Sequence, residues 1–280
     1  MIYKNTLYEQ VVFSGIGIHT GQRVNLCLIP SSSGEIVFCR KDRGDLEIKL
    51  DSGKIKTKNS VYLSSKGCKI QTLEHLLAVL YMFGIGSLIV ELDGDEIPIT
   101  DGSALPLVRL IQKAGVKALV ERRRILRIIK PAVIKEKEAS VSVEPGADFS
   151  ISYMIEYDHP LIQRQELSLS LSLKNFIREI APARTFGFLK DVPALRAQKL
   201  ALGGSLDNAV VLDKEGVMNK SLRYPDEFVR HKILDFIGDL SLLDAPLRGH
   251  FHAQKAGHRL HLRIVRYLLD NPDHCTYTEE

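Results

Sequence analysis

One order of segments occurs twice along the 280-residue chain and restricts its fold more than any single motif: strand-like runs, a helix, a strand and a second helix. In the first third, polar and apolar residues alternate from Tyr8 to Phe13, Gln22 to Ile29 and Glu35 to Cys39. The turn clusters Ser14-Gly15-Ile16-Gly17 and Pro30-Ser31-Ser32-Ser33-Gly34 separate these runs, so they read as antiparallel strands. A helix follows from Leu73 to Phe83, with Thr72 as its N-cap, Leu73, Leu76, Leu77 and Leu80 on one apolar face, and Gly84 as its stop. A strand from Ser87 to Leu92 and a helix opened by Asp101-Gly102-Ser103 and running to about Lys113 complete the first set.

The second set has strands at Ile125 to Ile129, Ala132 to Glu136, Ser140 to Val143, Ser150 to Tyr157 and Glu166 to Leu171. A long helix begins at Pro225, whose fixed φ suits a first helical position, and a strand near Arg248 to Ala253 and a helix from about Arg259 to Leu269 follow. The order predicts an α+β fold of two related two-layer domains, residues 1–121 and 125–270, each packing its helices on one face of a sheet. Glu121-Arg122-Arg123-Arg124 reads as a solvated linker, and the polar tail 271–280 is expected to be disordered.

Composition narrows the function classes. Thirty-eight Lys and Arg against 34 Asp and Glu leave a charge of only +4, too slight a bias to imply nucleic acid, while a phosphorylated or nucleotide-bearing small substrate stays open. The four cysteines, Cys27, Cys39, Cys68 and Cys275, form no CxxC pair, which argues against a thiolate zinc ribbon. The longest apolar stretch, Leu76 to Val90, is interrupted by Gly84, Gly86 and Ser87 and is too short to span a bilayer. Met1 to Asn5 turns polar at once, without the apolar stretch of a signal peptide, so the expected location is cytoplasmic, with no stable membrane anchor. Nothing in the sequence decides the oligomeric state; a monomer is favoured.

The helix after Pro225 carries the most informative pattern. Val229, Ile233, Phe236, Ile237, Leu240 and Leu243 keep helical spacing and face the core, while His231, Asp235 and Asp239 recur at i, i+4 and i+8 on another side. An imidazole and a carboxylate one turn apart can bind a single ion, although alone they are an ordinary surface pair. Glu74 and His75 open the other helix, where the macrodipole favours ionised carboxylate and neutral imidazole. His75, His231 and Asp235 would then make a set of two imidazoles and a carboxylate with a position left for water, and Glu74 could take that water's proton. The same ligands accept Zn2+ or Fe2+. His258 follows Gly257 between a strand and a helix, from where an imidazole can reach a cleft.

Seven blocks, in order, resemble the motifs of the UDP-3-O-acyl-N-acetylglucosamine deacetylase family, the zinc amidases of lipid A synthesis. They are Ser14-Gly15-Ile16-Gly17-Ile18-His19-Thr20-Gly21, Gln71-Thr72-Leu73-Glu74-His75-Leu76-Leu77-Ala78, Ile97-Pro98-Ile99-Thr100-Asp101-Gly102-Ser103, Ala183-Arg184-Thr185-Phe186-Gly187-Phe188, Gly203-Gly204-Ser205, Glu227-Phe228-Val229-Arg230-His231-Lys232-Ile233-Leu234-Asp235 and Gly257-His258. The resemblance implies two βααβ-type domains with the active site between them, zinc on His75, His231 and Asp235, and Glu74 as general base. It implies His258 as general acid or electrostatic stabiliser, Asp239 as the carboxylate orienting it, Thr185 as an oxyanion hydroxyl and Lys232 as a substrate-binding position. His19, Thr72 and Phe186 fall among its substrate-binding positions, and Tyr157 matches an aromatic near the uracil.

By the same analogy, the insert from Phe188 to about residue 214 forms a hydrophobic passage for the 3-O-acyl chain, with Val192, Leu195, Ala201, Leu206 and Val211 as its apolar residues. The chain departs from the family between Asn59 and Lys69. It also departs after Gly257-His258, where the family continues with a small residue, Leu and Asn, and Arg259, Leu260 and His261 stand here. Taken without the resemblance, the residues leave two further readings open: another zinc hydrolase with this ligand set, and a non-catalytic α+β module binding RNA. The substrate expected from the resemblance is the UDP-sugar acyl ester, with no nucleic-acid partner.

Overall fold

The computed structural model describes residues 3–57 and 60–279, so Asn59, at the edge of the divergent stretch, lies outside the described residues. Five strands of the first half form a sheet in the order Val11–Ile16, Arg23–Pro30, Leu88–Leu92, Ile36–Arg40 and Leu46–Lys49. Ile36–Arg40 and Leu88–Leu92 run parallel, and parallel neighbours need a crossover connection. The crossover carries a three-stranded sheet of Ile55–Thr57, Val61–Ser65 and Cys68–Gln71, then helix α1, Glu74–Met82. Helix α2, Leu105–Ala114, follows the sheet.

The second half solves the same problem in the same way. Phe149–Tyr157 lies parallel to Leu247–Gln254, and the crossover between them carries the parallel pair Phe186–Phe188 and Val210–Leu212, the short helix α3, Val192–Ala197, and helix α4, Glu227–Leu240. Helix α5, His258–Asp270, comes after the last long strand. Ala132–Glu136, Ala139–Glu144 and Gln163–Ser170 complete the antiparallel parts of this sheet.

The two crossover helices meet. Leu76, Leu77 and Leu80 of α1 and Ile233, Phe236, Ile237 and Leu240 of α4 are buried in one apolar cluster that also takes Leu26 and Val90 from one sheet and Val141 and Phe251 from the other. Gly238 marks a close approach of the two: a Cβ there would stand 2.2 Å from the carbonyl oxygen of Glu74. The helices' polar residues are thereby brought to one place from two halves of the chain. No helix among the described residues is long and apolar enough to cross a membrane.

Four sequence expectations need correction. Thr72 does not cap α1: it has a φ of 60°, and its hydroxyl donates to the buried carboxylate of Glu96 at 2.8 Å, leaving Leu73 at the cap position. The long helix starts at Glu227, with Asp226 as N-cap, rather than at Pro225. Glu121 and Arg122 are not linker, because Val116–Arg122 pairs antiparallel with Tyr3–Leu7 and Glu121 binds Lys4 at 2.8 Å. Nor is the tail free: Cys275–Thr278 pairs antiparallel with Ile125–Ile128, and Tyr277 lies under the Arg124 guanidinium.

Candidate metal centre

Two helix starts and one helix face supply the site. Glu74 and His75 open α1, His231, Asp235 and Asp239 follow one another turn by turn along α4, and His258 is the first residue of α5. His75 Nε2 and His231 Nε2 lie 3.7 and 3.4 Å from Asp235 Oδ1, with all three residues buried. The longer separation is beyond hydrogen bonding. Both fit ligands of one shared ion, since donors about 2.0–2.1 Å from a tetrahedral metal stand roughly 3.3 Å apart.

The protonation states fit as well. His231 Nδ1–H donates to the Ala183 carbonyl at 3.1 Å, which leaves the Nε2 lone pair facing Asp235. Burial, outweighing the pull of Asp235, pushes this imidazole down to about 4, so it is neutral at physiological pH. Burial works against an ionised Asp235, yet Lys232 and His231 hold its carboxyl well below the usual range; the Lys232 ammonium donates to Asp235 Oδ2 at 2.7 Å. Two imidazoles and one carboxylate, buried and converging, are a donor set for a divalent ion.

Beside it lies a second group, Asp239, His258 and His261, which has a different character. His258 Nδ1–H and His261 Nδ1–H both donate to Asp239 Oδ2, at 2.7 and 2.8 Å, so protons occupy the positions a metal would need. Burial disfavours a charged His258, but Asp239, with help from Asp235 and Glu74, raises it to about 9. Its Nε2 faces the first group, 3.9 Å from both Glu74 Oε1 and Asp235 Oδ2. Glu74 Oε2 accepts the Val61 amide at 3.2 Å, and burial pushes its carboxyl up.

A cavity of about 410 Å³ opens over these groups. Its walls include His19, Thr72, Thr185, Phe186, Tyr157 and Lys232, and the insert contributes Val192, Leu195, Ala201 and Val211. Thr185 is fixed through its backbone, donating to Gly102 O at 2.8 Å and accepting from Val210 N at 2.7 Å, so a first-half loop sets its position. The Phe186 ring packs edge-on to those of Tyr157 and Phe228. His19 and Thr72 stand around the buried Glu96 carboxylate, which accepts from the His19 and Thr20 amides and from both threonine hydroxyls. His19 Nδ1 is buried and has no hydrogen-bond partner among the described residues.

Leu206 is not among the lining residues. Its carbonyl accepts from Asn219 Nδ2, and the residue is 47% exposed, outside the walls of this cavity. Asp239 does not line the cavity either; it acts on it through His258. Residue patterning missed Glu96 and Tyr153. His261 shows in the sequence only as a departure from the family pattern, one turn after His258 on the same helix, with no role attached.

A family model described as "LpxC: UDP-3-O-acyl N-acetylglycosamine deacetylase" matches residues 4–270. The chain belongs to the LpxC family. Among curated members, the UDP-3-O-acyl-N-acetylglucosamine deacetylase of Thermodesulfovibrio yellowstonii is 46% identical over 272 residues, covering 96% of this chain and 93% of its own length. The proteins of the same name from Syntrophus aciditrophicus and Citrifermentans bemidjiense are 42% and 43% identical, over 99% and 100% of this chain and 89% and 93% of their own lengths. Matches of this extent run through both halves, so every cluster described above falls inside the LpxC-like region. The family also decides among the readings that the residues alone left open.

Proposed function

We propose that this chain removes the N-acetyl group of UDP-3-O-acyl-N-acetylglucosamine, with Zn2+ held by His75, His231 and Asp235, as a step of lipid A synthesis. The deacetylase activity rests on family membership and on the names of relatives 42–46% identical to this chain. The residue roles rest on one observation: ligands from two helices converge beside a buried carboxylate and a charged imidazole that face each other across 3.9 Å.

A zinc ion in that ligand set supplies Lewis acidity, polarising a carbonyl and lowering the pKa of water. Glu74, its carboxyl raised by burial, is matched to taking a proton from the attacking water. Water adds to the acetyl carbon, the carbon–nitrogen bond breaks, and acetate and the free amine of the sugar are the products. Thr185 donates its hydroxyl to the developing oxyanion. His258, kept protonated by Asp239, faces that charge and delivers a proton to the leaving nitrogen. Lys232 keeps Asp235 ionised and carries a positive charge on the cavity wall for the nucleotide. Tyr157, Phe186, His19 and Thr72 contact the sugar and uridine, and Val192, Ala201 and Val211 border the acyl chain.

Metal content and acetate release on the purified protein test this reading. Glu74→Ala is expected to retain the metal and lose about 10²–10⁴-fold in turnover, and unchanged release would remove Glu74 as base. A His231→Ala protein that still held stoichiometric metal would sink the ligand set.

A further inference from the structure

His261 is fully buried, stands one turn after His258 on α5, and has no part in the chemistry above. Its two ring nitrogens are nonetheless both engaged: Nδ1 lies 2.8 Å from Asp239 Oδ2 and Nε2 lies 2.9 Å from Tyr153 Oη. Proton bookkeeping sets the roles. Asp239 is held ionised, though burial opposes this, chiefly by His258, so it can only accept; both Nδ1 atoms aimed at its Oδ2 must carry hydrogen. A neutral His261 then offers its Nε2 lone pair to the Tyr153 hydroxyl, whose hydrogen is shared with the Ala256 carbonyl at 2.9 Å. Tyr153 sits on the strand Phe149–Tyr157, and the Phe236 ring lies over the His261 imidazole with centroids 4.4 Å apart. The imidazole is thus a rigid strut between the sheet and Asp239.

Asp239 needs such a strut. Among the described residues its buried Oδ1 has no hydrogen-bond partner, and the two bonds that orient the carboxylate are made at Oδ2. With His258 as the only donor, the carboxylate would follow the imidazole it is meant to aim. A second donor anchored to the sheet makes Oδ2 a fixed point, and His258 Nε2 is then directed between Glu74 and Asp235.

We propose that His261 is a positioning residue that fixes the Asp239 carboxylate and thereby aims His258. The deacetylase reading above supplies the reaction in which that aim is felt. Two substitutions separate positioning from packing, because they keep different nitrogens. His261→Asn puts an amide nitrogen near the Nδ1 position and keeps the Asp239 bond. His261→Gln reaches toward the Nε2 position and keeps the Tyr153 bond instead.

The expected result for His261→Asn is a kcat within about threefold of the parent. His261→Gln and His261→Leu are expected to lose about 10–100-fold in kcat, the usual effect of removing such an outer partner, at unchanged KM and unchanged bound metal. Asn and Gln variants with equal kcat, at any level of stability, would reduce His261 to packing. If His261→Leu does not fold, the Asn and Gln pair still decides. A readout independent of turnover is the hydrogen-bonded Nδ1–H signal of His258 in ¹⁵N-edited spectra. It should persist in wild type and His261→Asn and exchange away in His261→Gln; persistence in the Gln variant overturns the proposal. A wild-type protein that releases no acetate would refute the deacetylase reading, while these spectra would still report on His261.

Discussion

Gly238→Ala is expected to damage catalysis far more than stability. The added Cβ would stand 2.2 Å from the Glu74 carbonyl oxygen, 2.8 Å from its carbon and 3.0 Å from its Cα, all backbone atoms that no rotamer can move aside. Ordinary contact begins at 3.4 Å, so α1 and α4 must part locally by 3.4 − 2.2, about 1.2 Å. Overpacking of this kind costs about 1–3 kcal/mol, while replacing glycine in a helix interior returns nearly 1 kcal/mol. The net loss is about 0–2 kcal/mol, and each kcal/mol lowers Tm by about 2–4 °C in a chain of this size class. Catalysis has no such compensation. Glu74 and His75 ride on α1 while His231, Asp235 and Asp239 ride on α4, and a displacement near 1 Å costs about 100-fold. Acetate-release kinetics, metal analysis and calorimetry on one preparation test the prediction. A variant with kcat/KM within threefold of wild type and full metal content would show that the helix spacing does not set the site.

Asp239→Ala removes the largest charge that opposes burial at His258, leaving only Asp235 and Glu74 to do so, and the basic limb of kcat/KM against pH is expected to move down from about 9. A limb that stays near 9 would show that Asp239 does not hold that proton. Deleting residues 272–280 strips the Cys275–Thr278 strand from Ile125–Ile128 and the Tyr277 ring from Arg124. The expected cost is about 1–3 kcal/mol at roughly 1 kcal/mol per lost hydrogen bond, seen as a lower urea midpoint with kcat unchanged. An unaltered midpoint would return the segment to the status of a tail.

Legibility in the sequence followed the distance over which each structural cause acts. Helix α4 shows in its own residues, because the apolar spacing and the His231, Asp235, Asp239 recurrence are local, and α1 announces itself through Leu73, Leu76, Leu77 and Leu80. Tyr3–Leu7 and Cys275–Thr278 do not, since their partners, Val116–Arg122 and Ile125–Ile128, lie more than a hundred residues away and nothing in a polar four- or five-residue run names them. Thr72 shows a local rule overridden: a threonine before a helix suggests a cap, but a buried carboxylate from Glu96 is a stronger acceptor than the helix is a donor. The grouping of Glu74 and His75 with His231 and Asp235 is readable from their donor chemistry and again from motif resemblance, but not from spacing, because the contact depends on two crossovers packing at Gly238. His261 stands out in the sequence only as a departure from the family pattern, and its role stayed hidden for the same reason, its partners being on another helix and on a strand.

The two key histidines depart from their ordinary value of 6.5 in opposite directions, and the signs decide where the metal-free fold is most stable. His231 falls to about 4, so the stability tied to its neutral form is complete above 6.5 and is lost as pH drops toward 4. His258 rises to about 9, so the stability tied to its charged form is complete below 6.5 and is lost as pH climbs through 9. Each contribution is on the order of a few kcal/mol. Asp235 and Asp239, both depressed, withdraw stability only below their usual carboxylate range. Glu74 acts against His231: its raised carboxyl loses stability as pH rises out of that range. Urea unfolding of the chelator-treated protein between pH 4.5 and 9.5 should therefore give a dome near neutrality, with an acid side that steepens in Glu74→Gln. A free energy flat from pH 6.5 to 9 would mean that His258 is not the cation it is taken to be. Near neutrality His231 is a free ligand and His258 a charged donor, so the fold is held best in the protonation states that the hydrolysis requires.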